Sequence, residues 1–175
     1  MAILPIAIYP DSVLREETSL VDSFGPDLHE LLDDMAETMY DARGIGLAAP
    51  QISVNKRITV IDVSSERDKV MEFINPVITS SEGSQSSEEG CLSIPDYLDT
   101  ITRYERVSVR AQDRHGEEFT VEAEGLLAIC LQHEIDHLNG VLFVDHLSRI
   151  KRTLFKKWAK KHLKRPDESD TSSNG

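Results

Sequence analysis

The sequence predicts an α+β fold in which antiparallel sheets surround one central helix, with a further helix towards each end of the chain. Two observations predict this fold. Segments with β-branched or alternating patterns fill the middle of the chain, and one strongly apolar helix follows them. At 175 residues the chain suits one ordinary domain, expected over residues 1–165, and residues 166–175 have the composition of a disordered tail.

The first helix is predicted over residues 26–39. Gly25 and Pro26 mark its start, and Gly44 lies just past its end. The apolar residues between them follow helical spacing, namely Leu28, Leu31, Leu32, Met35 and Met39. The uncharged, glycine-rich residues 44–51 come next, and we expect a loop or an edge strand where the backbone comes close to another group.

The strands are predicted from β-branched residues and from alternation. Residues 57–63 and 71–74 are rich in β-branched or aromatic side chains, and the polar stretch 79–89 is expected to be a strand with a loop. Residues 106–111 and 118–123 alternate strictly on either side of an Asp-Arg-His-Gly turn. These two segments are therefore predicted to form a hairpin.

An apolar helix is predicted over residues 125–138, closed by Asn139 and Gly140. It contains His133-Glu134-Ile135-Asp136-His137. Residues four apart lie on one face of a helix, about 6 Å apart, so both imidazoles can reach one metal ion while Glu134 handles a proton of bound water. Two structural histidines are the alternative. Burying these groups in so apolar a helix is costly without a partner, and a metal ion supplies one.

A third protein ligand is required, and the downstream sequence does not offer it. A long zinc-protease motif would carry a histidine where this chain has Phe143. Another protease class takes a glutamate from a later helix, but no acidic residue occurs between Asp145 and Asp167. The third ligand is therefore expected upstream.

Three other residues compete for this position. Cys130 lies about 10 Å along the helix from His137, which is too far to share an ion. His146 lies just past the helix and is a weaker option. Cys91, in Glu89-Gly90-Cys91-Leu92-Ser93, is the best candidate, although a lone cysteine is more often a small buried hydrophobic residue.

Three segments together resemble the peptide deformylase family. They are residues 44–51 (Gly-Ile-Gly-Leu-Ala-Ala-Pro-Gln), residues 89–93 (Glu-Gly-Cys-Leu-Ser) and residues 132–137 (Gln-His-Glu-Ile-Asp-His). Their order and spacing match the family, and Tyr9-Pro10-Asp11 with Leu14-Arg15 is similar to its N-terminus. The resemblance implies a metal-dependent hydrolase that removes the formyl group from the N-terminal methionine of nascent chains and releases formate.

The resemblance also implies a role for each matching residue. The metal ligands would be Cys91, His133 and His137. Glu134 would pass the proton of a water molecule to the departing amine. The oxyanion would be met by the Gln51 amide, the Leu92 N–H and the metal. Glu89 and Arg103 would form a buried pair that holds the Cys91 loop, with an ordinary surface role as the alternative.

A substrate groove follows from the same resemblance. Gly44 and Gly46 would pair with the extended substrate backbone, although turn glycines are the better interpretation from sequence alone. The methionine side chain would contact a set of residues that otherwise suits ordinary core packing, namely Ile45, Leu126, Ile129, Cys130 and His133. Ser87 stands where members often carry an aliphatic residue, and Leu98 where some carry an arginine. These departures leave the side-chain preference open.

The ligands alone do not determine the metal. A Cys-His-His set suits Zn²⁺, Fe²⁺, Co²⁺ or Ni²⁺. The resemblance implies Fe²⁺ in the cell.

Charge is distributed unevenly along the chain. The formal net charge is −12, yet residues 149–165 contain nine Lys and Arg residues and no acid, while residues 1–148 contain 28 acidic and 10 basic residues. An acidic body excludes a general nucleic-acid binder, including a DNA binder, because phosphates require a basic surface. Only the basic segment admits an RNA partner.

This basic segment is predicted to form a C-terminal helix. Its apolar residues recur at roughly helical spacing, namely Ile150, Leu154, Phe155, Trp158 and Leu163. In one interpretation Ile150, Leu154, Phe155 and Trp158 dock on the body while the lysines stay solvated. In the other, the segment contacts ribosomal RNA, as some family members are thought to do.

Composition also bears on location. No apolar run approaches the roughly 20 residues that span a bilayer. Two cysteines are too few for a disulfide framework and are expected as free thiols. We therefore expect a cytoplasmic protein without a membrane partner.

Two other functions fit part of the sequence. A zinc metallopeptidase uses the same helix motif, although the missing downstream ligand argues against it. A non-enzymatic, metal-stabilised binding module would need four protein ligands, with His146 as the candidate fourth.

Overall fold

The predicted metal-binding helix, α2 (Gly125–Leu138), lies at the centre of the protein in a computed structural model that describes residues 2–163. From Ala128 to Leu138 every residue except Asp136 is buried. Its bounds match the prediction, and Gly140 follows with a positive φ of 73°, as expected for a left-handed end. The predicted tail, residues 166–175, lies outside the described residues, as do the last two residues of the predicted basic helix.

The other elements follow the order of the chain. Three short 3₁₀ turns lie at Ser12–Arg15, Ala49–Ile52 and Phe143–His146. The helices and strands are α1 (Pro26–Asp41), β1 (Gly46–Ala48), β2 (Ile58–Ile61), β3 (Met71–Glu82), β4 (Gln85–Cys91), β5 (Ile94–Arg103), β6 (Arg106–Gln112), β7 (Glu118–Glu124) and α3 (Arg149–His162). None of the helices within residues 2–163 is long and apolar enough to cross a bilayer.

Two antiparallel sheets frame α2, which confirms the predicted fold class. Five strands form one sheet in the order β1-β2-β3-β6-β7, and β4 pairs with β5 in a separate hairpin. The apolar side of α2 packs on the larger sheet against Ile61, Phe73 and Val109. Strand β1 is the edge of this sheet, and its one partner there is β2. Residues 44–51, predicted as a loop or an edge strand, thus contain an edge strand followed by a 3₁₀ turn.

Two strands extend beyond the sequence prediction. Strand β3 continues from the predicted residues 71–74 to Glu82, because its polar second half pairs with β6. Strand β5 was not predicted, since Pro95, Asp96 and Asp99 interrupt its apolar pattern. Pairing with β4 holds these residues in a strand, and the turn of this hairpin carries Leu92.

Helix α3 docks on the body through fewer residues than predicted. Its N-cap Ser148 accepts a hydrogen bond from the Lys151 N–H. Phe155 is buried, Trp158 is half-buried, and both rings pack with Tyr97. The expectation that Ile150 and Leu154 also dock is wrong: these side chains are 75% and 58% exposed. The stripe that faces the body runs through Phe155 and Ala159, four residues apart, with Trp158 and Leu163 partly buried beside it. Ile150 and Leu154 are left towards solvent.

Candidate active site

Three predicted ligands converge where α2 meets the end of β4. His133 and His137 come from one face of α2, and Cys91 is the last residue of β4. One donor atom from each of the three lies within 4.8 Å of the other two. They are the one group of this kind among the described residues that could hold a metal ion.

The spacing of the three donors fits a divalent ion. His137 Nε2 lies 3.3 Å from Cys91 Sγ and 3.2 Å from His133 Nε2. Bonds of about 2.0–2.3 Å in a tetrahedral arrangement separate ligand atoms by roughly 3.4 Å. Two imidazoles and a thiol with lone pairs directed at one point suit Zn²⁺, Fe²⁺, Co²⁺ or Ni²⁺.

A buried carboxylate fixes the orientation of the first histidine. His133 Nδ1 lies 3.0 Å from Glu89 Oε1. Burial alone raises the pKa of Glu89, but hydrogen bonds from Arg103 and His133 outweigh it and lower the pKa to about 2. An ionised carboxylate only accepts hydrogen bonds, so Nδ1 of His133 donates a hydrogen bond to Glu89. The other ring nitrogen, Nε2, is therefore directed at the metal position.

The pKa values of the two histidines are shifted in opposite directions. Burial lowers the pKa of His133, but hydrogen bonds to Cys91 and Glu89 outweigh this effect and raise its pKa well above the ordinary value. Burial and the nearby charges of His133 and Arg103 hold the pKa of His137 well below it. Because a metal ion binds the neutral imidazole, ion binding here would favour the form in which the Nε2 atoms of both rings carry no proton.

The predicted pair of Glu89 and Arg103 is confirmed as buried. Arg103 donates two hydrogen bonds of 2.9 Å to the Glu89 carboxylate, and each side chain is 4% exposed. Arg103 also donates to Asp136 at 2.7 Å, and His146 Nε2 lies 2.8 Å from the same carboxylate. His146, weighed as a ligand from sequence, thus belongs to this ion-pair network and not to the group of metal donors. Sequence analysis missed the contact with Asp136, although its place inside the His-Glu-Ile-Asp-His motif was a signal.

Gln51 is buried and fixed at both ends of its amide. Its Oε1 accepts a hydrogen bond from the Ala48 N–H at 2.9 Å. Its Nε2 donates to Ser93 Oγ at 3.1 Å and lies 3.5 Å from Cys91 Sγ. The amide nitrogen is therefore held between the Ser93 hydroxyl and the sulfur of Cys91, one of the three metal donors. Ser93, which orients them, was not predicted from sequence.

Glu134 lies on the same side of α2 as the metal donors, against the glycine-rich edge strand. A Cβ added to Gly46 would approach Glu134 Oε1 to 2.7 Å, so only glycine permits this contact. Burial raises the pKa of Glu134 to about 7. Its Oε2 is buried and has no hydrogen-bond partner within the described part of the chain. This carboxyl group can accept or release a proton near neutral pH.

A cavity of about 730 Å³ opens beside these groups. Its walls include Gly44, Gly46, Gln51, Cys91, Leu92 and Glu134. The predicted methionine-contacting residues also line it, namely Ile45, Leu126, Ile129, Cys130 and His133. Burial raises the pKa of the Cys130 thiol to about 12, so this thiol stays uncharged near neutral pH. His137 lies behind the cavity wall.

The rim of the cavity contains residues that sequence analysis did not assign. Ser87 and Leu98, noted as departures, both lie there, and Leu98 is 60% exposed. Arg43 and Asp96 also line the cavity and were not predicted. Arg43 follows α1 and Asp96 lies on β5, so no local pattern in the sequence links them to the metal-binding helix.

Comparisons with known proteins agree with this geometry. The model of the family described as polypeptide deformylase matches residues 3–153. A peptide deformylase of Chromobacterium violaceum is 52% identical over 164 residues, which cover 94% of this chain and 98% of that protein. A peptide deformylase of Rhizobium meliloti is 55% identical over 157 residues, which cover 88% of this chain and 90% of that protein.

Solved structures of peptide deformylases have the same fold as this chain. A peptide deformylase from Legionella pneumophila superposes with a TM-score of 0.86 at 48% identity, covering 94% of this chain and all of the other. A peptide deformylase from Ehrlichia chaffeensis in complex with actinonin superposes with a TM-score of 0.87 at 40% identity and the same coverage.

Proposed function

The chain belongs to the peptide deformylase family, and on that basis we propose that Cys91, His133 and His137 bind the divalent ion at which it releases formate. It is an enzyme that removes the formyl group from formylmethionyl nascent peptides by metal-dependent hydrolysis. The observation that carries the proposed ligand set is the convergence of three donor atoms beside a buried glutamate, at a cavity lined by Cys91, His133 and Glu134. The family match gives no support to a metallopeptidase or to a binding module. We take residues 1–165 as the catalytic domain, which the match over residues 3–153 supports.

When bound, a divalent ion at these residues would lower the pKa of a water molecule and polarise the formyl oxygen. We propose Fe²⁺ as the ion in the cell, with Zn²⁺, Ni²⁺ or Co²⁺ able to replace it. The mixed thiolate and imidazole set supports this proposal, because it suits each of these ions. Metal analysis of protein purified without oxygen tests it: iron is expected, and protein that carries zinc and no iron as isolated would contradict it.

Glu134 is proposed as the group that moves protons. Its carboxylate takes a proton from the attacking water and delivers it to the methionine nitrogen as the C–N bond breaks. A pKa of about 7, raised by burial, suits both halves of this exchange near neutral pH. The contact with Gly46 limits the positions that the carboxylate can take.

Gln51 and Leu92 are proposed to stabilise the oxyanion. Hydrogen bonds at both ends of the Gln51 amide hold its Nε2 beside Cys91 before substrate arrives. Leu92 lies at the turn after Cys91, where its backbone N–H can face the same point. A donor held in advance costs no reorganisation as charge develops, and one such donor typically contributes about 3–4 kcal/mol.

The edge strand is proposed to bind the substrate backbone. The carbonyl of Ile45 accepts the Asp62 N–H on the β2 side. Because consecutive residues of a strand direct their main-chain groups to opposite sides, those of Gly46 point to the open side. An extended peptide can pair there, running along Gly44 and Gly46. Its methionine side chain would then enter the apolar part of the cavity, formed by Ile45, Leu126, Ile129 and Cys130.

Helix α3 is proposed to contact ribosomal RNA. Lys156, Lys157 and Lys160 are exposed, while Phe155 holds the helix on the body. Replacing the three lysines by glutamine should weaken ribosome binding and flatten its dependence on salt, because each phosphate contact releases a counterion. Lys56→Gln, an exposed lysine elsewhere, is the matched control. Unchanged binding by the triple variant would exclude this surface. Because its substrates emerge from ribosomes, we propose that the enzyme works in the cytoplasm.

Formate release from formyl-Met-Ala-Ser by a Glu134→Gln variant tests the proposed chemistry. The rate should fall by about 10²–10⁴-fold, since the variant retains the shape of the side chain but cannot take a proton. Bound metal should stay at the wild-type level. Glu30→Gln, at an exposed position on α1, should retain full activity. Full activity of Glu134→Gln would overturn the proposal.

A further inference from the structure

The loop between β2 and β3 holds an arginine beside Gly44, a residue that lines the cavity. The Asp62 carboxylate anchors this loop by accepting hydrogen bonds from two of its backbone N–H groups. One guanidinium nitrogen of Arg67 donates to the Gly44 carbonyl oxygen at 2.7 Å. The guanidinium carbon lies 5.2 Å from the centre of the Tyr40 ring, within the range of a cation–π contact. Arg67 is exposed, yet these two contacts hold its head group in place.

The contact between Arg67 and Gly44 changes which main-chain groups of the edge strand are free to bind a peptide. The main-chain groups of Gly46 point to the open side of β1. The carbonyl oxygen of Gly44 is already bonded to Arg67. Beyond Gly46 a bound peptide therefore meets a guanidinium group beside the Gly44 carbonyl.

The direction of the peptide follows from the position of Glu134. Glu134 lies against Gly46, so the formyl end of a substrate belongs at that end of the strand. Extended chains advance about 3.3–3.4 Å per residue. Gly44 is two residues from Gly46, so a peptide with its methionine opposite Gly46 brings its third residue opposite Gly44. The third residue thus lies next to Arg67.

Arg67 is available to a negatively charged side chain. Between residues 2 and 163 it forms no ion pair, although Asp68 is its neighbour. Arg43, a second exposed arginine without an ion pair in that range, lines the cavity and is next to Gly44 in the chain. Glu88 on β4 and Asp96 on β5 also line the cavity. An acidic side chain is therefore attracted to the two arginines and repelled by the carboxylates of β4 and β5.

We propose that Arg67, assisted by Arg43, is a specificity residue that favours formylmethionyl peptides with an acidic third residue. The inference rests on the proposed function, because the register of the peptide depends on where the formyl group reacts. Exposed ion pairs are weak. The expected preference is therefore about threefold in kcat/KM, and it should shrink with salt.

A pair of matched peptides tests the inference: formyl-Met-Ala-Glu-amide and formyl-Met-Ala-Gln-amide. The C-terminal amide removes a carboxylate that Arg67 could bind instead. The wild-type enzyme should favour the glutamate peptide by about threefold at low salt and lose this preference near 1 M salt. The Arg67→Gln variant should deformylate both peptides at equal rates and should keep the wild-type rate on the glutamine peptide. Arg110→Gln, on β6 and paired with Glu118, is the matched control and should keep the preference.

Each outcome distinguishes this inference from the proposed function. If neither peptide is deformylated, the proposed function fails. If both are deformylated at equal rates by the wild-type enzyme, or if Arg67→Gln retains the preference, the inference is overturned. An equal loss of rate on both peptides in Arg67→Gln would also overturn it, because Arg67 would then support only the backbone at Gly44.

Discussion

Replacing Gly46 by alanine should damage catalysis through Glu134 while leaving the fold intact. A Cβ at this position would lie 2.7 Å from Glu134 Oε1, 3.0 Å from its Cδ and 3.1 Å from its Cγ. The carboxylate must move by about 0.7 Å to reach an ordinary contact of 3.4 Å. Gly46 is not among the glycines with a positive φ, so the backbone accepts alanine.

The displacement sets the size of the effect. A misplacement of about 1 Å at a reacting group can cost roughly 10²-fold in rate, so we expect kcat/KM to fall by about 10- to 100-fold. Formate release and thermal unfolding are measured on the same sample. Gly25→Ala is the control, because a Cβ at Gly25 has no atom within 4 Å.

A double variant shows whether the effect passes through Glu134. In the Glu134→Gln background the proton-moving group is already lost, so adding Gly46→Ala should reduce formate release little further. A full additional loss in the double variant would mean that the new methyl group blocks the substrate. A folded Gly46→Ala enzyme with kcat/KM within about twofold of wild type would refute the reasoning, because a misplaced carboxylate cannot support the normal rate.

Two further predictions concern the ion pairs and hydrogen bonds around the site. Arg103→Met should lower the free energy of unfolding in urea by about 3–5 kcal/mol, because the buried Glu89 carboxylate loses its arginine partner. A decrease in this free energy of less than about 1 kcal/mol would contradict the stabilising role of the ion pair. Burial raises the pKa of Asp62, but hydrogen bonds from Ser64 and Tyr40 outweigh it and lower the pKa to about 2. Ionised Asp62 therefore stabilises the fold above its ordinary pKa of 3.8, and this contribution is lost as the pH falls towards 2. The stability difference between wild type and Asp62→Asn should be larger at pH 6 than at pH 2, and a difference independent of pH would contradict this.

The sequence predicts those elements whose stabilising contacts are local. The bounds of α2 match the prediction, because its apolar run and the Asn139-Gly140 end lie within the segment itself. Strand β5 was missed, because Asp96 and Asp99 break its pattern and only pairing with β4 makes it a strand. The exposure of Ile150 has the same cause, since the body and not the helix decides which stripe of α3 docks.

The residues of the site also fall into two groups, those that local sequence predicts and those that depend on tertiary contacts. Helical spacing predicts that His133 and His137 share a face, whereas Cys91 emerged only by elimination among other candidates. Arg43 and Ser93 could not be predicted, because Arg43 lines the cavity and Ser93 orients Gln51 from positions that are far from α2 in sequence. Contacts of this kind depend on tertiary structure, which periodicity does not describe.

The central claim is that Cys91, His133 and His137 bind the metal ion on which formate release depends. Metal content and formate release from formyl-Met-Ala-Ser, measured without oxygen on the same preparations, test it most directly. We expect one ion per chain in the wild type, and loss of both the ion and activity in Cys91→Ala and His137→Ala. Cys130→Ala is the matched control and should keep its metal. A Cys91→Ala or His137→Ala variant that keeps a full complement of metal and the wild-type rate would contradict the account.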